Sequence, residues 1–184
     1  MAHPSPASDL LASVEKIAQR AGLEILDVYG TDFESRAKAD DSPLTEADLR
    51  AHRLIVAALH GLTPAIPVLS EEAADIPFSE RSQWPRYWLV DPLDGTKEFI
   101  SKNGEFTVNI ALISGHRPEM GVVHIPVTDT TYSGIPGVGA WRDIGGRGRT
   151  PIAVRRIAKP PLRVVGSRSH GNPALDQALE ALGP

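Results

Sequence analysis

The run Trp88-Leu89-Val90-Asp91-Pro92-Leu93-Asp94-Gly95-Thr96-Lys97-Glu98-Phe99 constrains the fold of this 184-residue chain more than any other segment. Tyr87–Val90 reads as a short, buried strand that delivers Asp91 at its end. Pro92 has no N–H for a further ladder bond, so the chain is expected to turn there. Asp91 and Asp94 can then aim their carboxylates into one cleft, joined by the Leu93 carbonyl. Gly95 permits a close backbone approach, and a short helix is expected over Lys97–Ile100.

Two carboxylates and a carbonyl are hard oxygen donors of the kind that suit Mg²⁺, an ion that keeps several waters and shares its shell with phosphate oxygens. The Gly95 and Thr96 amides would open the short helix, and a helix N-terminus favours anions. Taken alone, Asp-x-x-Asp-Gly also fits a polar turn capped by Asp. Leu69-Ser70-Glu71-Glu72 places two more carboxylates after an apolar run, and it fits a solvated acidic loop equally well. In Pro43-Leu44-Thr45-Glu46-Ala47-Asp48, Thr45 and Asp48 fit a capping box, which is compatible with a second, catalytic role for Asp48. Asn103-Gly104-Glu105-Phe106 fits a turn into the next strand.

Around these motifs the chain reads as α+β. Leu10, Val14, Ile17, Ala18, Ala21, Ile25 and Val28 recur at helical spacing, with Ser8 as a cap and Gly30 as a stop. A second helix is expected over Thr45–Leu59, closed by Gly61, with Ala51, Leu54, Ile55, Ala58 and Leu62 on one face. The polar stretch 31–43 reads as a loop with room for a short strand near Phe33. Strands are expected at Val68-Leu69, Thr107–Ile113 and Met120–Ile125, with weaker ones at Thr130–Ile135 and Gly139–Arg142. His116-Arg117-Pro118 joins two of them, and Gly145–Arg149 reads as a flexible turn. Ile152–Val154 and Leu162–Val165 are further strand candidates, and Asn172-Pro173 starts a last helix through Leu182. The expected architecture is an antiparallel sheet covered by the two N-terminal helices.

Composition narrows the function classes. A net charge of −4 supplies no general basic field for nucleic acid or anionic membrane. A phosphorylated ligand would therefore need local positive charge, which a bound metal could supply. With no cysteines, disulfides and thiolate metal sites are excluded, and a reducing compartment is compatible. Residues 1–8 lack the basic and apolar regions of a signal peptide, and no apolar run approaches the roughly 20 residues of a membrane span. The expectation is a cytoplasmic protein. The histidines form no metal-ligand pattern: His52, His60 and His124 read as surface or packing residues.

Taken together, Ser42–Asp48, Val68–Glu72, Tyr87–Ile100 and Asn103–Ile113 resemble the inositol monophosphatase superfamily. Within it, Lys97-Glu98-Phe99 and Asn103-Gly104-Glu105-Phe106 resemble the CysQ-type 3'(2'),5'-bisphosphate nucleotidase branch. Gly121–Pro126 and Ser167-Arg168-Ser169-His170 extend the likeness, and Arg168 and His170 fit either a nucleotide contact or a plain polar loop. The resemblance implies a layered sugar-phosphatase-like fold and two or more Mg²⁺ ions. Glu71, Asp91 and the Leu93 carbonyl would hold one ion, and Asp91 and Asp94 would contribute to a second. Thr96 and Asp48 would position and activate the attacking water. The Gly95 and Thr96 amides would bind the phosphate, so that Glu71, Leu93, Asp94, Gly95 and Thr96 face the substrate, and Glu72 would support the ligands from behind. The implied substrate is a small phosphate ester, 3'-phosphoadenosine 5'-phosphate, hydrolysed to AMP in sulfur assimilation or nucleotide recycling. An inositol or sugar phosphate is the alternative. The resemblance leaves room for a homodimer and for a peripheral place at the inner membrane face.

One departure stands out. The resemblance implies a further Trp-Asp-Thr-Ala-Ala-like segment whose Asp completes the second metal site, yet none of Trp84, Trp88 and Trp141 is followed by Asp. Residues 8–149 are therefore expected to form the metal-binding catalytic domain, and 150–184 the start of a smaller, incomplete one. An incomplete second domain would expose edge strands and apolar surface. It also adds a third reading, a catalytically impaired remnant.

Overall fold

The computed structural model describes residues 6–31, 35–37, 43–73, 75–157, 163–165 and 173–181. Contacts divide the chain after Ile152. The first unit contains the sheet and the long helices. In the second, the one regular element among the described residues is the helix Pro173–Ala181. The sheet carries the first unit three residues past the boundary expected at 149.

The apolar repeat near the N-terminus becomes α1 (Pro6–Tyr29). Its buried stripe is Leu11, Val14, Ile17, Ala18, Ala21, Ile25 and Val28. Helix α2 (Glu46–Leu62) buries Ala47, Asp48, Ala51, Ile55 and Leu59. It runs through Gly61 and is closed by Thr63, whose amide and hydroxyl both donate to the Leu59 carbonyl, at 2.8 and 3.2 Å. The short strands β1 (Ser35–Ala37) and β2 (Pro43–Thr45) pair with each other just before α2, where a loop with room for one short strand near Phe33 was expected. Phe33 lies outside the described residues, as do Leu162, Arg168, His170 and Asn172.

The main sheet contains β3 (Val68–Ser70), β4 (Arg86–Asp94), β5 (Thr107–Ser114), β6 (Arg117–Ile125), β7 (Thr130–Ile135), β8 (Gly139–Ile144) and β9 (Thr150–Ile152), in sequence order. Helices α1 and α2 pack on each other and on one face of it. Trp88, Val90, Val108, Ile110, Leu112, Met120 and Val122 meet the helix stripes there. Each fully buried Leu, Ile or Val contributes roughly 1.5–3 kcal/mol relative to an exposed one. Trp88 keeps its indole N–H satisfied by donating to Thr63 Oγ at 2.9 Å.

The sheet is antiparallel except at one edge, where β3 runs parallel to β4. A hairpin cannot join parallel neighbours. Residues 71–85 make the connection, with a 3₁₀ turn (Glu71–Ala73) and α3 (Phe78–Arg81). The glycine-rich segment before β9 is also more ordered in its contacts than its composition suggested. Gly145, Gly146 and Gly148 take positive φ, and Arg149 forms a bidentate pair with Glu15 of α1 at 2.7–2.9 Å. Among the described residues, no helix is long and apolar enough to cross a membrane.

Helix α1 approaches β6 closely at Gly22. A Cβ there would sit 2.6 Å from the His124 ring, so a side chain would displace the imidazole. His124 is buried. Its Nδ1 lies 3.0 Å from Thr131 Oγ, which also accepts from Gln19 Nε2 at 3.3 Å. Burial lowers the His124 pKa below its ordinary value, while Asp129 pulls it partly back. The fold thus favours the neutral ring. That contribution is fully present above the unfolded-state value of 6.5 and is lost as pH falls through the lowered folded value. The denaturation midpoint is expected to drop as pH falls below about 6.5. His124→Gln should lower stability throughout and flatten that slope. An unchanged slope in urea titrations of the variant would assign the acid sensitivity elsewhere, His52 being the next group.

Candidate active site

In a regular strand, residues three apart point to opposite faces. Asp91 and Asp94 are three apart, yet their partners on β5, Asn109 and Thr107, are two apart. One extra residue is therefore inserted in β4, a β-bulge. Pro92 and Leu93 are buried in succession and mark the insertion, so the alternation resets between the two acids. Both carboxylates consequently leave the helix-covered core, on the side where Leu89 is exposed. The strand does not end at Asp91, as its sequence suggested. Pro92 interrupts the ladder and pairing resumes at Asp94.

The parallel edge supplies the third carboxylate. Ser70 pairs with Val90, so the next residue on each strand brings Glu71 beside Asp91. The electrostatics carry the consequence. Asp91 is pushed up to about 7, first by burial, then by the charges of Glu71 and Asp94, against a backbone hydrogen bond from Leu93. Asp91 Oδ1 is buried with no hydrogen-bond partner. Asp94 is steadied from outside: Asn109 Nδ2 donates to its Oδ2 at 3.1 Å, and the Thr107 hydroxyl donates to Asn109 Oδ1 at 3.1 Å.

Gly95 and Thr96 follow at the turn into α4 (Thr96–Ile100). Gly95 has φ +96°, and a Cβ there would meet the Glu105 carbonyl at 3.0 Å, so glycine is required on both counts. Thr96 donates its hydroxyl to the Leu93 carbonyl at 3.3 Å, closing the bend over the bulge. Behind it, Tyr29, Phe99 and Phe106 pack with ring centroids 5.0–5.2 Å apart. Lys102 lies 4.5 Å from the Tyr29 ring and donates to the Tyr29 carbonyl at the end of α1. Asn103 Oδ1 accepts from the Glu105 amide at 2.8 Å and shapes the return into β5. The turn carrying Gly95 and Thr96 is thus clamped to the C-terminus of α1.

Asp48 is buried in the first turn of α2. It shares a helix face with His52, four residues on. The His52 ring lies 2.8 Å from Ser70 Oγ, which turns this face toward the end of β3. Burial lowers the His52 pKa, with Glu72 opposing and Arg53 assisting. The structure therefore gathers Glu71, Asp91, Leu93, Asp94, Gly95 and Thr96 around one bend and places Asp48 on the adjoining helix face. Asn109, Ser70 and His52 also belong to the neighbourhood, although sequence reasoning gave them no role. A polar Thr107-x-Asn109 alternation in an otherwise apolar strand was the available signal for the first.

Among the described residues, no three His, Asp or Glu side chains enclose a metal ion in the geometry shown. The donor set nonetheless fits a hard divalent cation. It is all oxygen, it carries mutually repelling charge, and it includes a buried carboxylate oxygen without a partner. Asp91→Asn should remove that repulsion. In metal-free buffer at about pH 8 the variant is expected to be more stable than the wild type by about 1 kcal/mol, well below the unscreened value because the site is partly open to solvent. Mg²⁺ should raise the melting temperature of the wild type but not of the variant. Differential scanning calorimetry with and without Mg²⁺ checks both. A destabilised variant would show that the Asp91 charge is compensated within the fold.

Residues 7–177 match the model of the inositol monophosphatase family. The chain is 52% identical over 177 residues to a 3'(2'),5'-bisphosphate nucleotidase CysQ of Escherichia coli O6:H1, covering 95% of this chain and 70% of that protein. The crystal structure of CysQ from Bacteroides thetaiotaomicron superposes with a TM-score of 0.74 at 39% identity, over 95% of this chain and 68% of that one. An IMPase of Thermotoga maritima superposes with a TM-score of 0.68 at 26% identity, over 82% and 55%. The mixed α/β fold with its open seven-stranded sheet is shared with these structures, and the chain belongs to the inositol monophosphatase family.

Proposed function

We propose that this chain is a Mg²⁺-dependent phosphomonoesterase that removes the 3'-phosphate of 3'-phosphoadenosine 5'-phosphate and releases AMP. The observation that carries the substrate is the 52% identity to a bisphosphate nucleotidase across nearly the whole chain. The geometry supports the chemistry independently. Glu71, Asp91, Asp94 and the Leu93 carbonyl are the groups that would hold the metal. When bound, a divalent cation at such a site makes water a stronger nucleophile at neutral pH and stabilises charge on the phosphoryl oxygens.

The chain's own residues supply the remainder. The Gly95 and Thr96 amides lie at the start of α4, where unpaired N–H groups suit a phosphoryl oxygen. Thr96 donates its proton to the Leu93 carbonyl, which leaves its oxygen lone pairs to accept from an attacking water. Asp48, on the adjoining face of α2, is assigned to the same water as the group that takes up its proton. Asn109 holds Asp94 in register with the bulge. Glu72, whose charge acts on His52, supports the turn from behind. We assign residues 153–184 to a second, smaller domain. A place in sulfur assimilation or nucleotide recycling follows from the substrate.

The likeness to the Thermotoga maritima IMPase favours one alternative, an inositol or sugar phosphate as substrate. Phosphate release by the purified chain is expected from 3'-phosphoadenosine 5'-phosphate, to require Mg²⁺, and to exceed that from inositol monophosphate. Asp94→Asn should lower kcat by at least about a hundredfold while the circular dichroism spectrum is kept. Near-wild-type turnover in that variant would remove Asp94 from the metal site. A preference for inositol monophosphate would transfer the chain to the alternative.

A further inference from the structure

Of the three clustered carboxylates, Glu71 has the least backbone to support it. Asp91 and Asp94 belong to β4, which has a neighbouring strand on each side. Glu71 instead follows Ser70 at the end of β3, a strand of three residues at the edge of the sheet that pairs with β4 alone. The chain leaves the sheet at once, into the 3₁₀ turn Glu71–Ala73. Ends of short, singly paired segments are the places where backbone pairing opens most readily.

The missing support comes from α2. Ser70 is 2% exposed, so its hydroxyl needs a partner inside the protein. That partner is the half-buried His52 ring, whose Nδ1 lies 2.8 Å from Ser70 Oγ. Helix α2 packs on both β3 and the 3₁₀ turn, and it is itself fixed by its buried stripe of Ala51, Ile55 and Leu59. Burial favours the neutral His52 ring, against the pull of Glu72. The contact therefore ties helix to strand without placing a fixed cation where a metal would compete with it.

We propose that His52 is a positioning residue: through the Ser70 hydroxyl it anchors the end of β3 and holds Glu71 where it can serve a divalent cation together with Asp91. The role rests on the proposed metal-dependent phosphatase reading. His52 acts through the residue that precedes Glu71, from the helix that also carries Asp48. Losing the contact leaves every carboxylate in the chain but loosens one of them. Metal affinity should fall, while affinity for the phosphate ester at high metal concentration should not.

The test titrates Mn²⁺, a hard divalent ion that takes the same oxygen donors, into the purified full chain and counts the free ion by electron paramagnetic resonance. Partners that orient metal ligands are worth roughly 10–100-fold in metal affinity or activity. His52→Ala and Ser70→Ala are each expected to raise the Mn²⁺ Kd by about tenfold or more, and the double variant by no more than about twofold beyond either single one. His52→Asn places an amide at the position of Nδ1, able to donate or accept there, and should return the Kd to within about threefold of wild type. Hydrolysis lost at low metal should return at high metal, with KM for 3'-phosphoadenosine 5'-phosphate within about twofold of wild type. Ser70→Ala removes one oxygen only and keeps the proposal testable where His52→Ala folds poorly. A lowered melting temperature with an unchanged Mn²⁺ Kd in both single variants would make the contact a plain staple between helix and strand and overturn the proposal, as would additive losses in the double variant. A wild type that binds no Mn²⁺ removes the metal reading and the role of His52 with it, whereas equal binding by wild type and variants removes the role of His52 alone.

Discussion

The proline in the middle of β4 is the constraint on which the site depends. Pro92 cannot donate to the ladder, so β4 cannot continue in register with β5 through this point. The strand absorbs the defect by inserting one residue, and pairing resumes at Asp94 opposite Thr107. This local irregularity turns a three-residue spacing into a shared face. Without it, Asp91 and Asp94 would project from opposite sides of the sheet, one of them into the apolar layer under α1 and α2. The bulge also buries Leu93 while leaving its carbonyl in the bend, where Thr96 closes on it. The parallel pairing of β3 then adds Glu71 at the neighbouring register position. Three carboxylates thus meet through one sheet defect and one crossover connection.

Much of this was legible in the sequence because its signals are local. Helical periodicity identified α1 and α2, and the burial of Val14, Ala18, Ala21 and Ile25 follows that stripe. The motif order identified the acidic residues and the glycine before α4. The missing parts are non-local. Nothing within Val68–Ser70 says that its neighbour is the parallel β4 and not an antiparallel partner. Pro92 was visible, but whether a chain stops or bulges there depends on whether β5 continues alongside, and β5 lies beyond a helix and a turn. The His52–Ser70 contact spans 18 residues, and the Asn109–Asp94 contact joins two strands. Side-chain periodicity within one element cannot report either. Gly22 is similar: its need for no side chain comes from a histidine about a hundred residues away.

The rigidity around the site and the strain within it have opposite origins. The Gly95–Thr96 turn is held by packing: the Tyr29–Phe99–Phe106 cluster, Lys102 at the end of α1, and the Glu105 carbonyl pressed against Gly95. The carboxylates it presents are held against burial and their own repulsion, which together raise Asp91 to about 7. Elsewhere such charges would splay or acquire a partner. Here the backbone that carries them is fixed by a bulge, a parallel neighbour and an aromatic clamp, so the repulsion persists as a standing preference for a cation.

That preference explains how a chain of net charge −4 could receive an anionic ligand at all. Long-range attraction is not available to it, since the global field has the wrong sign. Positive potential has to be created locally. The carboxylate cluster can do so only by collecting metal, which makes affinity for the reacting phosphate conditional on that ion. The condition arises from the same fold feature that began the site: β3 lies parallel to β4, so Glu71 joins Asp91 at the neighbouring register position and adds its charge to a cluster that only a cation can settle.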